Sequence, residues 1–140
     1  MKESTWDECL SENSATPSTR DRKKAESLLR TSEGRVRFFE MQSIEPGTAN
    51  YVFEGLYSSV LEMLHAFLIN EGYKVSNRIC LGYYLRDKLK RDDLFRAFDD
   101  LRYKRNSLVY YGREMDFETA KQAIQNCKKM IREVKAFVKI

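Results

Sequence analysis

The sequence predicts an all-α protein, an up-and-down bundle of four long helices and one short helix. Apolar residues recur at intervals of three and four along four long segments, which is the pattern of a helix with one buried face. No segment alternates apolar and polar residues for long enough to form a strand. The connections between the segments are short, so neighbouring helices are expected to pack antiparallel.

The first sixteen residues differ from the rest of the chain. They show no periodicity and are rich in Ser, Glu and Asn, so we expect a loose tail over residues 1–16, from which Trp6 can dock on the body. A single helical domain is expected over residues 17–140. Its first helix is predicted to begin at Ser18, with Asp21 completing a capping box.

The later helices follow from the same rules for helix ends. The second helix is predicted to end at Gly72 and the fourth near Gly112, because glycine adopts the left-handed conformation that terminates helices. Serine and aspartate side chains mark the helix starts, since they accept hydrogen bonds from the first turn. The first helix is expected to end near residue 42, and the predicted bounds of the others are about 49–71, 76–89, 92–112 and 116–140.

Composition and charge narrow the class of protein. The 140 residues are 42% hydrophobic and 33% charged, as in a soluble globular domain. No apolar run approaches the ~18 residues of a membrane span, and the acidic start lacks the apolar core of a signal peptide. We therefore expect a cytoplasmic protein without a membrane partner. The net charge of +4 is concentrated in the second half, which is compatible with a phosphate-bearing partner.

The cysteines and the histidine exclude several kinds of site. Cys9, Cys80 and Cys127 form an odd set without paired spacing, so we expect reduced thiols rather than a disulfide frame or a zinc site. A single histidine, His65, excludes a multi-histidine metal site; a structural role at the margin of an apolar face suits it best, although Glu62 could orient it as a base. Phosphate-binding glycine motifs and nucleophile elbows are absent from the sequence. We expect no metal and no cofactor.

Arg105 interrupts the apolar stripe of the fourth helix. At spacings of four, three, four and three, the stripe consists of Leu94, Phe98, Leu101, Arg105 and Leu108. Burying a guanidinium without a partner is costly, because the group cannot lose its proton. Two interpretations follow: an ion pair with a glutamate of the second helix, such as Glu54 or Glu62, or a stripe that faces a cleft or a second chain.

Other hydrogen-bond donors surround Arg105 on the helix. Arg102 projects from the neighbouring face one turn earlier, and Asn106 and Tyr110 share a face beside Arg105. Two guanidiniums, an amide and a phenol suit a phosphate or another anion. Together with Tyr111, these residues form the predicted site for the phosphate of a nucleotide or RNA.

The stretch LRYKRNSLVYYG, residues 101–112, resembles the signature of the HEPN (higher eukaryotes and prokaryotes nucleotide-binding) domain family: a helix that ends in an arginine, a polar residue and a short apolar run. Three further segments are similar to other helices of the family and occur in the same order. They are YVFEGLYSSVLEMLHAFLINEGYKV, SNRICLGYYL and FETAKQAIQNCKKMIREVKAFV. The resemblance covers about residues 17–140.

The resemblance implies a bundle of four long helices and a short one, paired as a homodimer. In the catalytic branch of the family, two signatures meet across the dimer and cleave RNA without a metal. The arginine and its polar neighbour, here Arg105 and Asn106, hold the scissile phosphate. A histidine four to six residues beyond the arginine assists the attack, and this window holds Tyr110, Tyr111 and Gly112 instead. Phenols ionise only near pH ~10, so a tyrosine is a poor proton shuttle.

Three functions follow from these observations. The leading hypothesis is a dimeric binding module that holds a nucleotide or RNA phosphate at Arg105 and Asn106. As the resemblance implies, it would act with a small nucleotidyltransferase, as in toxin–antitoxin-like pairs. The alternative is an enzyme, a metal-independent ribonuclease toxin in which Tyr110 replaces the histidine. The third is a structural bundle in which Arg105 closes an ion pair.

Overall fold

The computed structural model describes residues 3–140, which form a mostly helical fold with one small antiparallel sheet. In chain order the elements are α1 (Trp6–Ser11), β1 (Ala15–Pro17), α2 (Arg22–Glu40), α3 (Ala49–Glu71), β2 (Tyr73–Val75), α4 (Ile79–Asp87), α5 (Asp92–Tyr111) and α6 (Phe117–Phe137). The strands pair with Ala15 opposite Val75 and Pro17 opposite Tyr73. The prediction of an all-α protein is confirmed at this level. The small sheet and α1 were not predicted.

Helix α3 is the centre of the fold. It packs against α2 on one side and α6 on the other, and most of its residues are buried. Gly55 allows the close approach of α2, because a Cβ atom at this position would overlap the ring of Phe39. The helix ends at Gly72, whose φ of 96° is left-handed, as predicted from the sequence.

Helix α3 is also long and apolar enough to cross a membrane, contrary to the expectation that no apolar run approaches this length. Its most apolar window has a mean hydropathy of 1.3, but 72% of that window is buried inside the fold. The core helix of a soluble protein has the same properties. The apolar character of α3 is therefore accounted for by its central position.

Helix α5 is anchored by its first half. The buried residues of the helix are Leu94, Phe95, Phe98 and Leu101. Helix α4 packs closely on this half, since a Cβ atom at Gly82 would lie 2.9 Å from ring carbons of both Phe95 and Phe98. The helix ends at Gly112, which has a φ of 63°. Beyond it, Asn50 of α3 exchanges two hydrogen bonds of 3.0 Å with the backbone of Met115, which ties the end of α5 to the start of α3.

The N-terminal segment is ordered, in contrast to the loose tail expected over residues 1–16. Trp6 is 1% exposed, and its ring packs edge-on against Tyr73 and Tyr84, with centroids 5.3 and 4.9 Å away. The backbone N–H of Trp6 donates a 2.8 Å hydrogen bond to the carboxylate of Asp87. A six-residue helix and a three-residue strand are too short to show a period, so only these long-range contacts reveal the order.

Two helix starts also differ from the prediction. Helix α2 begins at Arg22, and its cap is Asp21, which accepts a 3.0 Å hydrogen bond from the backbone of Lys24. The N–H of Ser18, the predicted cap, donates instead to the carbonyl of Gly72. Helix α4 begins at Ile79, because the predicted cap Ser76 is engaged with the backbone of Ser14. Residues 76–78 therefore form a loop rather than a helical turn.

The expectation of reduced thiols is wrong for two of the three cysteines. Cys9 of α1 and Cys80 of α4 form a disulfide, with their Cα atoms 6.2 Å apart. Cys127 is free and buried, and burial raises the pKa of its thiol. Disulfides persist in oxidising environments, so the cysteines give no support to the predicted cytoplasmic location. An odd cysteine count does not prevent pairing when the fold brings two thiols together.

Candidate anion-binding site

An open groove of about 520 Å³ lies between α5, the middle of α3 and the loop before α4. We call it the arginine groove, because three arginines from two parts of the chain meet in it. Its lining residues are Tyr57, Ser76, Asn77, Arg78, Ile79, Arg102, Arg105, Asn106 and Tyr110. Four of the five residues predicted for the site therefore lie together.

Arg105 lies where the apolar stripe of α5 leaves the core. Leu101 is fully buried one turn earlier, whereas Arg105 is half-buried at the groove wall. One terminal nitrogen of its guanidinium donates a 3.4 Å hydrogen bond to the hydroxyl of Tyr110. The Nε atom is buried and has no hydrogen-bond partner. Buried N–H groups nearly always have an acceptor in folded proteins, and within residues 3–140 no protein acceptor reaches this one.

The ion pair considered for Arg105 does not form. Glu62 instead pairs with Arg35 of α2. Within residues 3–140, no carboxylate lies within ion-pair distance of Arg105, Glu54 included. Of the two interpretations of the interrupted stripe, the structure agrees with the cleft.

The other two arginines of the groove differ in their partners. Arg102 is held by Asp99, whose carboxylate accepts hydrogen bonds of 3.2 and 2.9 Å from it. Arg78 stands at the start of α4 and, in the described part of the chain, makes no ion pair. The groove thus contains two guanidiniums, Arg78 and Arg105, whose charge no carboxylate neutralises. Such a surface attracts anions.

Tyr57 and residues 76–78 were not predicted as part of the site. In the sequence, Tyr57 is one more apolar residue of α3, and Arg78 falls inside a predicted helical turn. Burial raises the pKa of Tyr57 to about 12, although Arg105, Arg102 and Arg78 each lower it. The charges of all three guanidiniums therefore act on this phenol. The one feature of the sequence that could have indicated this part of the site is Arg78. It precedes an apolar helix and has no carboxylate close to it along the chain.

The arginine groove continues into a smaller recess of about 240 Å³. The two share Asn77, Ile79 and Arg102, and the recess adds Glu3, Tyr83, Phe95 and Asp99. Its lining combines carboxylates and an amide with aromatic rings, of which that of Phe95 is buried and covered by the guanidiniums of Arg86 and Arg96 at 5.0 Å.

Two residues considered in the sequence lie outside the groove. Tyr111 is 71% exposed, and the guanidinium of Arg113 covers its ring at 5.5 Å. His65 is half-buried on α3, and burial, followed by the charges of Arg78 and Lys24, lowers its pKa. The carboxylate that could have oriented His65 as a base is that of Glu62, which is engaged elsewhere. Residues 3–140 also contain no cluster of side chains that could hold a metal ion.

Comparisons of the chain with protein-family models, with curated proteins and with solved structures find no match. Any functional assignment therefore depends on the residues and geometry of the groove.

Proposed function

We propose that the protein is a HEPN-like binding module that holds a phosphate of a nucleotide or of RNA in the arginine groove. The observation that carries this proposal is the state of Arg105, a half-buried guanidinium with an orphaned Nε and no carboxylate partner. An anion would neutralise it and accept the unused hydrogen bond, and charge-assisted hydrogen bonds of this kind are strong.

The remaining groove residues support the same chemistry. Arg78 lines the same groove as Arg105, and Asn106 adds an amide donor. The recess beside Arg102 contains Asp99, one oxygen of which accepts hydrogen bonds from Arg102. The choice of a nucleotide or an RNA segment over a bare phosphate follows from the HEPN resemblance.

The exposed end of α5 supports a dimer. After Leu101 the helix contains no fully buried residue. Its last turns expose Tyr103, Val109, Tyr110 and Tyr111 by 41% to 71%. Exposed aromatic side chains are typical of interaction surfaces, and the HEPN-like order of helices implies pairing at this helix. Sedimentation at roughly tens of micromolar, the range of a weak interface, should show a dimer, and a monomer there would contradict this part of the proposal. The nucleotidyltransferase partner is supported by the HEPN resemblance alone.

A metal-independent ribonuclease is the second candidate, because the Tyr110 hydroxyl lies 3.4 Å from the guanidinium of Arg105. A side chain at position 110 therefore reaches the place where a bound phosphate would lie. A phenol donates hydrogen bonds but accepts a proton poorly at neutral pH. We accordingly place binding ahead of cleavage.

The binding proposal is tested with a short fluorescein-labelled RNA and fluorescence anisotropy. Arg105→Leu should weaken binding by about tenfold or more, because it removes charged hydrogen bonds. Arg78→Leu should act in the same direction. Arg22→Leu is the matched control, since it removes the same charge from the exposed face of α2, where Arg22 pairs with Glu26. Equal binding by Arg105→Leu and Arg22→Leu would refute the proposed site.

A further inference from the structure

Tyr57 lies in the middle of α3, and its ring is held between two other aromatic rings. The ring centroid is 6.2 Å from that of Phe53 and 6.3 Å from that of Phe98, with interplanar angles of 29° and 18°. The residue is 1% exposed. Burial among these rings restricts rotation about its side-chain bonds, so the core sets the direction of its hydroxyl.

The hydroxyl end of Tyr57 is the part that faces the arginine groove. Tyr57 belongs to the groove lining, and its phenol senses the charges of Arg105, Arg102 and Arg78, in decreasing order. Burial outweighs the three cations and raises the pKa to about 12. The hydroxyl therefore keeps its proton at neutral pH and is available as a hydrogen-bond donor.

Two donors that belong to residues lining the groove have no acceptor in the described part of the fold. Among residues 3–140, no hydrogen bond satisfies the Tyr57 hydroxyl, and the buried Nε of Arg105 is also unpaired. One of these donors belongs to α3 and the other to α5, so they approach the same space from different elements. Arg78 supplies a further donor, from the loop before α4.

We propose that Tyr57 is a ligand-binding residue, whose hydroxyl donates a hydrogen bond to an oxygen of the phosphate held by Arg105 and Arg78. This inference rests on the proposed function, because it requires an anion in the groove. It places the phosphate in contact with α3 as well as with α5. A tetrahedral phosphate offers acceptors in three directions, whereas a carboxylate offers them within one plane.

Tyr57→Phe is the discriminating variant, because it removes the hydroxyl and keeps the stacked ring. Tyr84→Phe is the matched control, since it removes the hydroxyl of another buried tyrosine that lies outside the groove. The probe is the labelled short RNA, with inorganic phosphate as a competitor. Tyr57→Phe should weaken RNA binding by about tenfold. The concentration of inorganic phosphate needed to displace the bound RNA should rise by a similar factor. Tyr84→Phe should change neither value.

Two further measurements separate a binding role from a structural one. Tyr57→Phe should leave the midpoint of denaturation unchanged, because the hydroxyl has no partner in the fold. It should also leave the salt dependence of RNA binding unchanged, because a neutral donor is lost. Arg105→Leu should reduce that dependence, because it removes a charge that meets phosphate.

The possible failures are distinguishable. If Arg105→Leu abolishes binding while Tyr57→Phe binds as the native protein does, the role of Tyr57 is refuted and the proposed function stands. A lowered denaturation midpoint in Tyr57→Phe would assign the hydroxyl to the fold and overturn the inference. If the native protein binds neither RNA nor phosphate, both proposals are refuted.

Discussion

The two halves of α5 carry the same helical pattern but have opposite roles. From Asp92 to Leu101, four apolar side chains are buried in the core. From Arg102 to Tyr111 none is buried, and the same stripe continues through Arg105 into the groove. Helix α4 has 9 residues and α5 has 20, so α4 can cover only the first half of its antiparallel neighbour. A periodic stripe becomes core only where another element lies against it.

The largest expected effect comes from placing a histidine, which can act as a general acid or base, in the second half of α5. We expect the native protein to cleave RNA feebly or not at all, because phenols in general accept a proton poorly at neutral pH. Tyr110→His should raise cleavage by about 10² to 10⁴, the usual contribution of a positioned acid or base. The measurement is the rate of cleavage of a generic RNA. Combining Tyr110→His with Arg105→Ala should abolish the gain, and the absence of any gain would exclude a disabled nuclease site.

A truncated apolar side chain should destabilise the protein more in the first half of α5 than in the second. Phe98→Ala removes a ring that is fully buried and should lower the free energy of unfolding by about 3–5 kcal/mol. Leu108→Ala, in the second half, removes a side chain that is only partly buried and should cost about 1 kcal/mol. Denaturant unfolding compares the two. Similar losses would mean that both halves of α5 belong to the core.

The close contact between α4 and the first half of α5 predicts a further, smaller effect on stability. The Cβ atom added by Gly82→Ala would lie 2.9 Å from the rings of Phe95 and Phe98. This overpacking should cost about 1–3 kcal/mol. Gly34→Ala is the control, because its Cβ atom would meet a single flexible side chain at 3.7 Å. It should stabilise α2 by about 0.5–1 kcal/mol. A thermal melt in which both variants behave alike would contradict this account of the α4–α5 contact.

The smallest effect on stability is expected for Arg105→Leu. Since no carboxylate is stranded by its loss, the free energy of unfolding should change by less than about 1 kcal/mol. Removing an arginine from a buried ion pair would instead lower the free energy of unfolding by about 3–5 kcal/mol. Arg86→Leu is the contrasting variant, because Arg86 binds Asp87 and the carbonyl of Ser4. It should be the more destabilising of the two, and the reverse order would assign Arg105 to the fold.

Local signals explain how much of the fold could be predicted. The bounds of α3 and the ends at Gly72 and Gly112 follow from periodicity and glycine caps, which act within a few residues. The order of the N-terminal segment could not be predicted, because it depends on Trp6 reaching residues more than sixty positions away. The same holds for the disulfide, since spacing along the chain does not report the distance between two cysteines.

The residues of the candidate site also fall into two groups, those that the local sequence pattern predicts and those that it does not. Arg102, Arg105, Asn106 and Tyr110 could be predicted together, because they lie on one helix within nine residues. Tyr57 could not be predicted, because it comes from another helix, where a tyrosine among apolar residues is an ordinary core residue. Tyr111 is predicted from its place in the window after Arg105, whereas the structure leaves it 71% exposed and outside the groove lining.

The disulfide has a consequence for the connectivity of the chain. Joining Cys9 to Cys80 makes a covalent ring that contains β1, α2, α3 and β2, with α5 and α6 on the free C-terminal arm. A protease cut in the turn between α2 and α3 would open this ring without releasing a fragment, until the bridge is reduced. Every residue that lines the arginine groove lies on the C-terminal side of that turn. The groove would therefore remain on a single polypeptide, with the N-terminal piece still attached through α1.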